Sequence, residues 1–195
     1  MKVGLYFGSF NPVHVGHMII ANHMVNNTDM DQLWMVVSPH NPLKQKKTLA
    51  KDYDRLHLLN LAIGDLTNIK ASDIEFKLPK PSYTIDTMVY LEEKYPQHQF
   101  CLIMGGDNLA SFHKWKNYEK LLENYPIYVY RRPNYDLPEI ASHENIILEE
   151  APLLDISASF IRSQIRSKKS IKYLVPDKVY EYLLEDPIYN RLDIQ

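Results

Sequence analysis

The chain of 195 residues is 45% hydrophobic and 24% charged, which excludes a globally disordered chain and suits one domain with a full core. Its 22 basic and 24 acidic residues leave a net charge of −2, which argues against a general nucleic-acid binder but not against an anionic small molecule. One cysteine, Cys101, excludes an internal disulfide framework and a cysteine-built zinc site, and suits a reducing compartment.

Lys2 to Phe7 is short, apolar and stopped by Gly8, and reads as a buried strand. It is too short for a secretory h-region, and no apolar run is long enough to span a bilayer, so the expected location is cytoplasmic with no membrane partner. Ser9 to Val13 is a turn broken by Asn11 and Pro12, and His14 to Asn26 has helical spacing. Leu33 to Val37 is a second strand. Ser38 to Lys51 is a loop with two prolines and several lysines, and Tyr53 to Ile63 a helix with Leu56, Leu59, Ala62 and Ile63 on one face. Ile69 to Phe76 reads as a third strand, Thr84 to Tyr95 as a helix, and Phe100 to Met104 as a strand ending at Gly105-Gly106. Asn108 to Leu122 is helical in parts. Ile127 to Tyr130 and Ile146 to Leu148 are further strands, and Ser157 to Arg166 and Asp177 to Leu184 are the closing helices.

This alternation predicts an α/β fold, a Rossmann-like doubly wound parallel sheet with a small C-terminal helical subdomain (about 157–195) inside a single domain, 1–195. Ligands of such sheets lie beyond the carboxyl ends of the strands. The loops Gly8 to His17 and Gly105 to Asn108 both follow strands and fall on that edge.

In Gly8-Ser9-Phe10-Asn11-Pro12-Val13-His14-Val15-Gly16-His17, Gly8 lets backbone approach a ligand and Pro12 suits a first helical turn. His14 and His17 are three apart and share a helix face near its N-terminus. Gly16 costs about 1 kcal/mol against alanine in a helix, a cost that makes sense if something lies flat against the backbone there. Amides, a helix dipole and two imidazoles together suit phosphate. Incidental histidines or a two-histidine metal site are the other readings, but the motif holds no third ligand. In Asp155-Ile156-Ser157-Ala158-Ser159-Phe160-Ile161-Arg162, Ser157 is an N-cap, and Ser159 and Arg162 share a face, which makes a second anion cradle or an ordinary capped helix.

The first stretch resembles the nucleotidyltransferase superfamily with the signature H-x-G-H, related to class I aminoacyl-tRNA synthetases. The second resembles its I-S-x-T-x-I-R motif, with Ser159 in place of threonine. Pro81 to Thr87 (P-S-Y-T-I-D-T), Gly105-Gly106-Asp107-Asn108-Leu109 followed by Trp115, Asn41-Pro42-Leu43-Lys44, and Lys172 to Pro176 are similar to segments of bacterial nicotinate-mononucleotide adenylyltransferases, in order along nearly the whole chain. Lys80-Pro81 departs from the Arg and Gly often found before S-Y-T. The resemblance implies adenylyl transfer from ATP to nicotinate mononucleotide, giving deamido-NAD and pyrophosphate, with Mg2+ accompanying ATP.

The same resemblance implies that Gly8, Ser9, Phe10, His14, Gly16, His17, Ile156, Ser157, Ser159 and Arg162 hold ATP. It further implies that Ser82, Tyr83, Thr84, Gly105, Asp107 and Trp115 hold the nicotinate nucleotide, and that His14, His17, Lys44 and Arg162 bear the developing charge. Trp115 offers a flat face to a pyridine ring. Asp107 could meet a ribose, a water-mediated metal or only its own helix. Lys44, Lys46, Lys47 and Lys51 form either a solvated face or a loop folding over the site. No residue is expected to hold a metal by itself. Nicotinamide mononucleotide or phosphopantetheine as acceptor, and a non-catalytic nucleotide-binding regulator, are the alternatives; a tRNA synthetase fragment is disfavoured by the missing basic excess. Homo-oligomerisation stays open.

Overall fold

The strands are β1 (Lys2–Gly8), β2 (Gln32–Val37), β3 (Ile69–Ser72), β4 (Gln99–Gly105), β5 (Ile127–Tyr130) and β6 (Ile146–Glu149). The helices are α1 (Val15–Asn27), α2 (Asp52–Ile63), α3 (Thr84–Lys94), α4 (Gly106–Ala110), α5 (Tyr118–Asn124), α6 (Ala158–Arg166) and α7 (Asp177–Glu185). The structure is a computed structural model that describes residues 1–39, 49–131, 136–186 and 188–190. All described strand pairs are parallel, in the order β3-β2-β1-β4-β5-β6. The doubly wound sheet expected from the sequence is what forms.

Two apolar layers cover the sheet, and the alternation of side chains along each strand sorts residues between them. On one face Tyr6, Met35, Cys101, Ile103 and Tyr128 pack with Ile20, Met24, Leu58 and Leu59 of α1 and α2. Ile161, Val175, Val179 and Tyr189 belong to this same cluster, so the C-terminal helices share the sheet's core. On the other face Val3, Leu5, Leu102, Met104 and Val129 pack with Met88, Leu91, Leu109, Phe112 and Leu121. The helices that follow β1 and β4 thus lie on opposite faces, and the strand order reverses between those two neighbours. A crevice opens there at the strands' carboxyl ends.

Two elements differ from expectation. The third strand stops at Ser72, and Ile74–Lys77 turns into a 3-10 helix. Among the described residues β3 pairs with β2 alone, and after Ser72 the chain tucks Ile74 and Glu75 inward rather than extending the edge. The helix after Pro12 starts at Val15, so Pro12 lies in the preceding turn, behind a cis Asn11-Pro12 bond, rather than in the first helical turn.

Cys101 is fully buried in β4, and burial pushes its thiol pKa up to about 12. A thiol that stays protonated and shielded is unreactive. A maleimide reagent at neutral pH is expected to leave the native chain unlabelled and to label it stoichiometrically in denaturant, as read by intact mass.

Candidate active site

His14 is the N-cap of α1, in extended conformation, and is 6% exposed. Its backbone N–H donates to His17 Nδ1 at 3.2 Å. That bond assigns the neutral His17 ring its proton on Nε2, leaving Nε2–H as a donor. The two imidazoles stack with centroids 3.6 Å apart, and Phe10 meets the His17 ring edge-on at 5.1 Å. Gly16 has a specific reason to lack a side chain: a Cβ there would come within 3.1 Å of His14 Nδ1. What lies against the Gly16 backbone is therefore the protein's own imidazole. Likewise a Cβ on Gly8 would meet the Phe10 ring at 2.7 Å. Phe10 is itself 1% exposed with φ +43°, so what it can offer a ligand is backbone.

The amide cradle at the start of α1 is narrower than its sequence suggests. The Val15 amide donates to the Leu174 carbonyl at 3.0 Å, and the His17 amide donates to the His14 carbonyl. The Leu174 bond secures the entry of α1 from the far end of the chain.

The second cradle meets the first. Ser157 caps α6 by accepting from the Phe160 amide at 3.1 Å, as the sequence predicts. Arg162 Nη1 donates to the Asn11 carbonyl at 2.7 Å, and Nη2 donates to Ser159 Oγ at 3.2 Å. The guanidinium is thus bonded to the turn that carries the imidazoles. Ile156, two residues before α6, is half-buried against the core.

The candidate acceptor segments form a second group on the same edge. Gly105 ends β4 and Asp107 lies in the first turn of α4, its carboxylate folded back against Gly105. Thr84 opens α3, with Tyr83 as N-cap and Ser82 before it. Trp115 is partly exposed and meets Phe112 edge-on at 5.4 Å. Its neighbour Lys116 pairs with Asp86 at 2.8 Å and lies 4.7 Å over the Tyr83 ring. Trp115 is thereby stapled beside the start of α3. Lys44, together with Lys46 and Lys47, lies outside the described residues, whereas Lys51 is the exposed N-cap of α2.

Two buried charged groups that sequence reading did not single out hold these segments. Arg55 has no exposed surface. Its Nε donates to the Ala50 carbonyl, Nη1 to the carbonyls of Ser9 (2.6 Å) and Ser38 (2.8 Å), and Nη2 to the Pro39 carbonyl and Asp52 Oδ1. All five donors of the fork are used, tying the turn after β1 to the end of β2. Burial lowers the Arg55 pKa and the Asp52 carboxylate opposes that shift. Glu75 is 3% exposed, and its Oε1 accepts from Thr87 Oγ1 at 2.9 Å. Burial raises its pKa, while the Thr87, Ser38 and Ser82 hydroxyls act the other way. A signal for Arg55 was present in the sequence: it stands three and four residues before Leu58 and Leu59, on their apolar face.

This site over the reversal point of a parallel sheet defines a nucleotide-binding α/β domain. A family model described as cytidylyltransferase-like matches residues 5–164. A protein of Flavobacterium psychrophilum named "Probable nicotinate-nucleotide adenylyltransferase" is 55% identical over 98% of this chain and 100% of its own length. A Bacillus licheniformis protein of the same name is 32% identical over 96% and 98%. Among solved structures, Plasmodium falciparum nicotinic acid mononucleotide adenylyltransferase complexed with NaAD has the same fold, with TM-score 0.82 and 20% identity over 97% of each chain. The chain belongs to the nicotinate-nucleotide adenylyltransferase family, within the cytidylyltransferase-like nucleotidyltransferases.

Two stability changes follow from the buried charges. Arg55→Met leaves Asp52 and four carbonyls without their donor, and a loss of about 3 kcal/mol is expected in urea unfolding. For Glu75, the folded state binds its proton more tightly than the unfolded chain, whose ordinary value is 4.5. Stability from this group is therefore full below about pH 4.5 and is lost as pH rises toward the raised folded value. Glu75→Gln should remove that fall, so that the variant gains on the wild type as pH rises above 4.5 in parallel urea titrations.

Proposed function

We propose that this chain transfers the adenylyl group of ATP to nicotinate mononucleotide, giving deamido-NAD and pyrophosphate. The observation that carries the reading is the 2.7 Å bond from Arg162 to the Asn11 carbonyl, which puts the guanidinium of α6 on the turn bearing the stacked imidazoles. One triphosphate can then be gripped from both ends of the chain.

In the reaction an oxygen of the acceptor's 5′-phosphate attacks the α-phosphorus of ATP in line. A new P–O bond forms, the bond from the α-phosphorus to the bridging oxygen breaks, and its electrons leave with pyrophosphate. The step needs positioning and charge stabilisation rather than a protein nucleophile or base. His17 Nε2–H, His14, Lys44 and Arg162 meet the phosphate oxygens. Gly8, Ser9, Phe10 and Gly16 supply backbone around them, and Ile156, Ser157 and Ser159 line the α6 side. Mg2+ is read as part of the Mg–ATP substrate, where it would offset phosphate charge. Among the described residues, no group of three or more His, Cys, Asp or Glu side chains stands ready to hold a metal by itself. Ser82, Tyr83 and Thr84 present the start of α3 to the pyridine carboxylate, Trp115 stacks on the ring, and Gly105 and Asp107 face the ribose side. We place the enzyme in the cytoplasm; among the described residues no helix is long and apolar enough to cross a membrane.

Pyrophosphate release on mixing the protein with Mg–ATP and nicotinate mononucleotide tests the reaction. Nicotinate mononucleotide is expected to outperform nicotinamide mononucleotide in kcat/KM, and equal use of the two would remove the acid-specific reading. His17→Ala is expected to lower kcat about a hundredfold, the scale of losing one preorganised donor, with an unchanged circular dichroism spectrum. Retention of wild-type kcat would refute that role.

A further inference from the structure

The Thr87 hydroxyl, in the first turns of α3, donates to the Glu75 carboxyl at 2.9 Å, and the hydroxyls of Ser38, just past β2, and Ser82, before α3, lower the pKa of the same carboxyl. Thr87 has no exposed surface, and its hydroxyl also reaches the Tyr83 carbonyl at 3.3 Å. Ser82 Oγ and Glu75 Oε2 are likewise buried, and among the described residues neither atom makes a hydrogen bond. An interior carboxyl with hydroxyl donors is costly to desolvate and is tolerated where it fixes geometry. What it fixes is the start of α3, where Ser82, Tyr83 and Thr84 are assigned above to the pyridine carboxylate. Arg55 bonds the same Ser38 through its backbone carbonyl. Ser38 thus stands between two buried charged groups, one holding the ATP turn and the other the start of α3.

We propose that Glu75 is a positioning residue for the mononucleotide pocket, setting the start of α3 against the end of β2 so that Ser82 to Thr84 receive the acceptor's ring carboxylate. This inference rests on the adenylyl-transfer reading and adds a residue that touches no substrate. Its signature is selective. Without Glu75 the start of α3 loses its buried polar contact at Thr87, while Arg55 still holds Ser9, Ser38 and the ATP turn.

The test measures KM for each substrate, kcat, and urea stability in the wild type, Glu75→Ala, Glu75→Gln and Thr87→Val. Glu75→Ala is expected to raise KM for nicotinate mononucleotide about tenfold, a differential of about 1.4 kcal/mol, with KM for ATP and kcat within about threefold of wild type. Glutamine can accept from Thr87 and donate to a serine, so Glu75→Gln is expected to stay within about threefold in every constant. Thr87→Val removes one donor at equal volume and should raise the same KM alone; it carries the test if Glu75→Ala does not fold. Equal rises in both KM values, no rise in the folded variants, or a Gln variant as impaired as Ala would each overturn the proposal. A wild type that releases no pyrophosphate would overturn the adenylyl-transfer reading and this inference with it, whereas an active wild type with unsplit constants overturns this inference alone.

Discussion

One hydrogen bond, from the Arg162 guanidinium to the Asn11 carbonyl, joins parts of the chain 151 residues apart. Neither partner alone brings a guanidinium beside the stacked imidazoles. The α1 entry spends its Val15 amide on Leu174, and His14 turns its own amide toward His17. The guanidinium beside the imidazoles comes from elsewhere in the chain, on α6. The charged hydrogen bond also fixes the guanidinium plane, because its second nitrogen is engaged by Ser159.

The crevice behind this bond is held by interior charge rather than by apolar packing alone. A turn has no ladder of its own, so its carbonyls need donors from outside it. Arg55 supplies donors to Ser9, Ser38 and Pro39 at once. A lysine could not do this, since its point charge lacks the planar fork. Glu75 plays the complementary part at the start of α3, accepting the Thr87 hydroxyl where Arg55 gives to carbonyls. Asp52, bonded to Arg55 and paired with Lys80 at 3.1 Å, carries the network outward toward the segment before α3.

Much of this was legible beforehand because the signals are local. Strand and helix alternation gave the layers, and the spacing of His14 and His17 gave the imidazole pair. Ser157 announced the start of α6. What escaped was non-local. The early end of β3 depends on its edge position and on the burial of Ile74 and Glu75, which period-two patterning does not report. The reason for Gly16 depends on the rotamer of His14 two residues earlier. Arg55 went unremarked because Leu56, Leu59 and Ala62 also fit a helical face, although the structure buries Arg55, Leu58 and Leu59. The links of Ser38, Ser82 and Thr87 to Glu75 are made by tertiary folding and leave no motif.

The bond from the Val15 amide to the Leu174 carbonyl has a bearing on biosynthesis. During translation the first βαβ unit emerges early and can fold locally, but its helix entry lacks this acceptor until residue 174 leaves the exit tunnel. The nascent polypeptide therefore leaves this helix entry unsecured until the segment that follows α6 has been made.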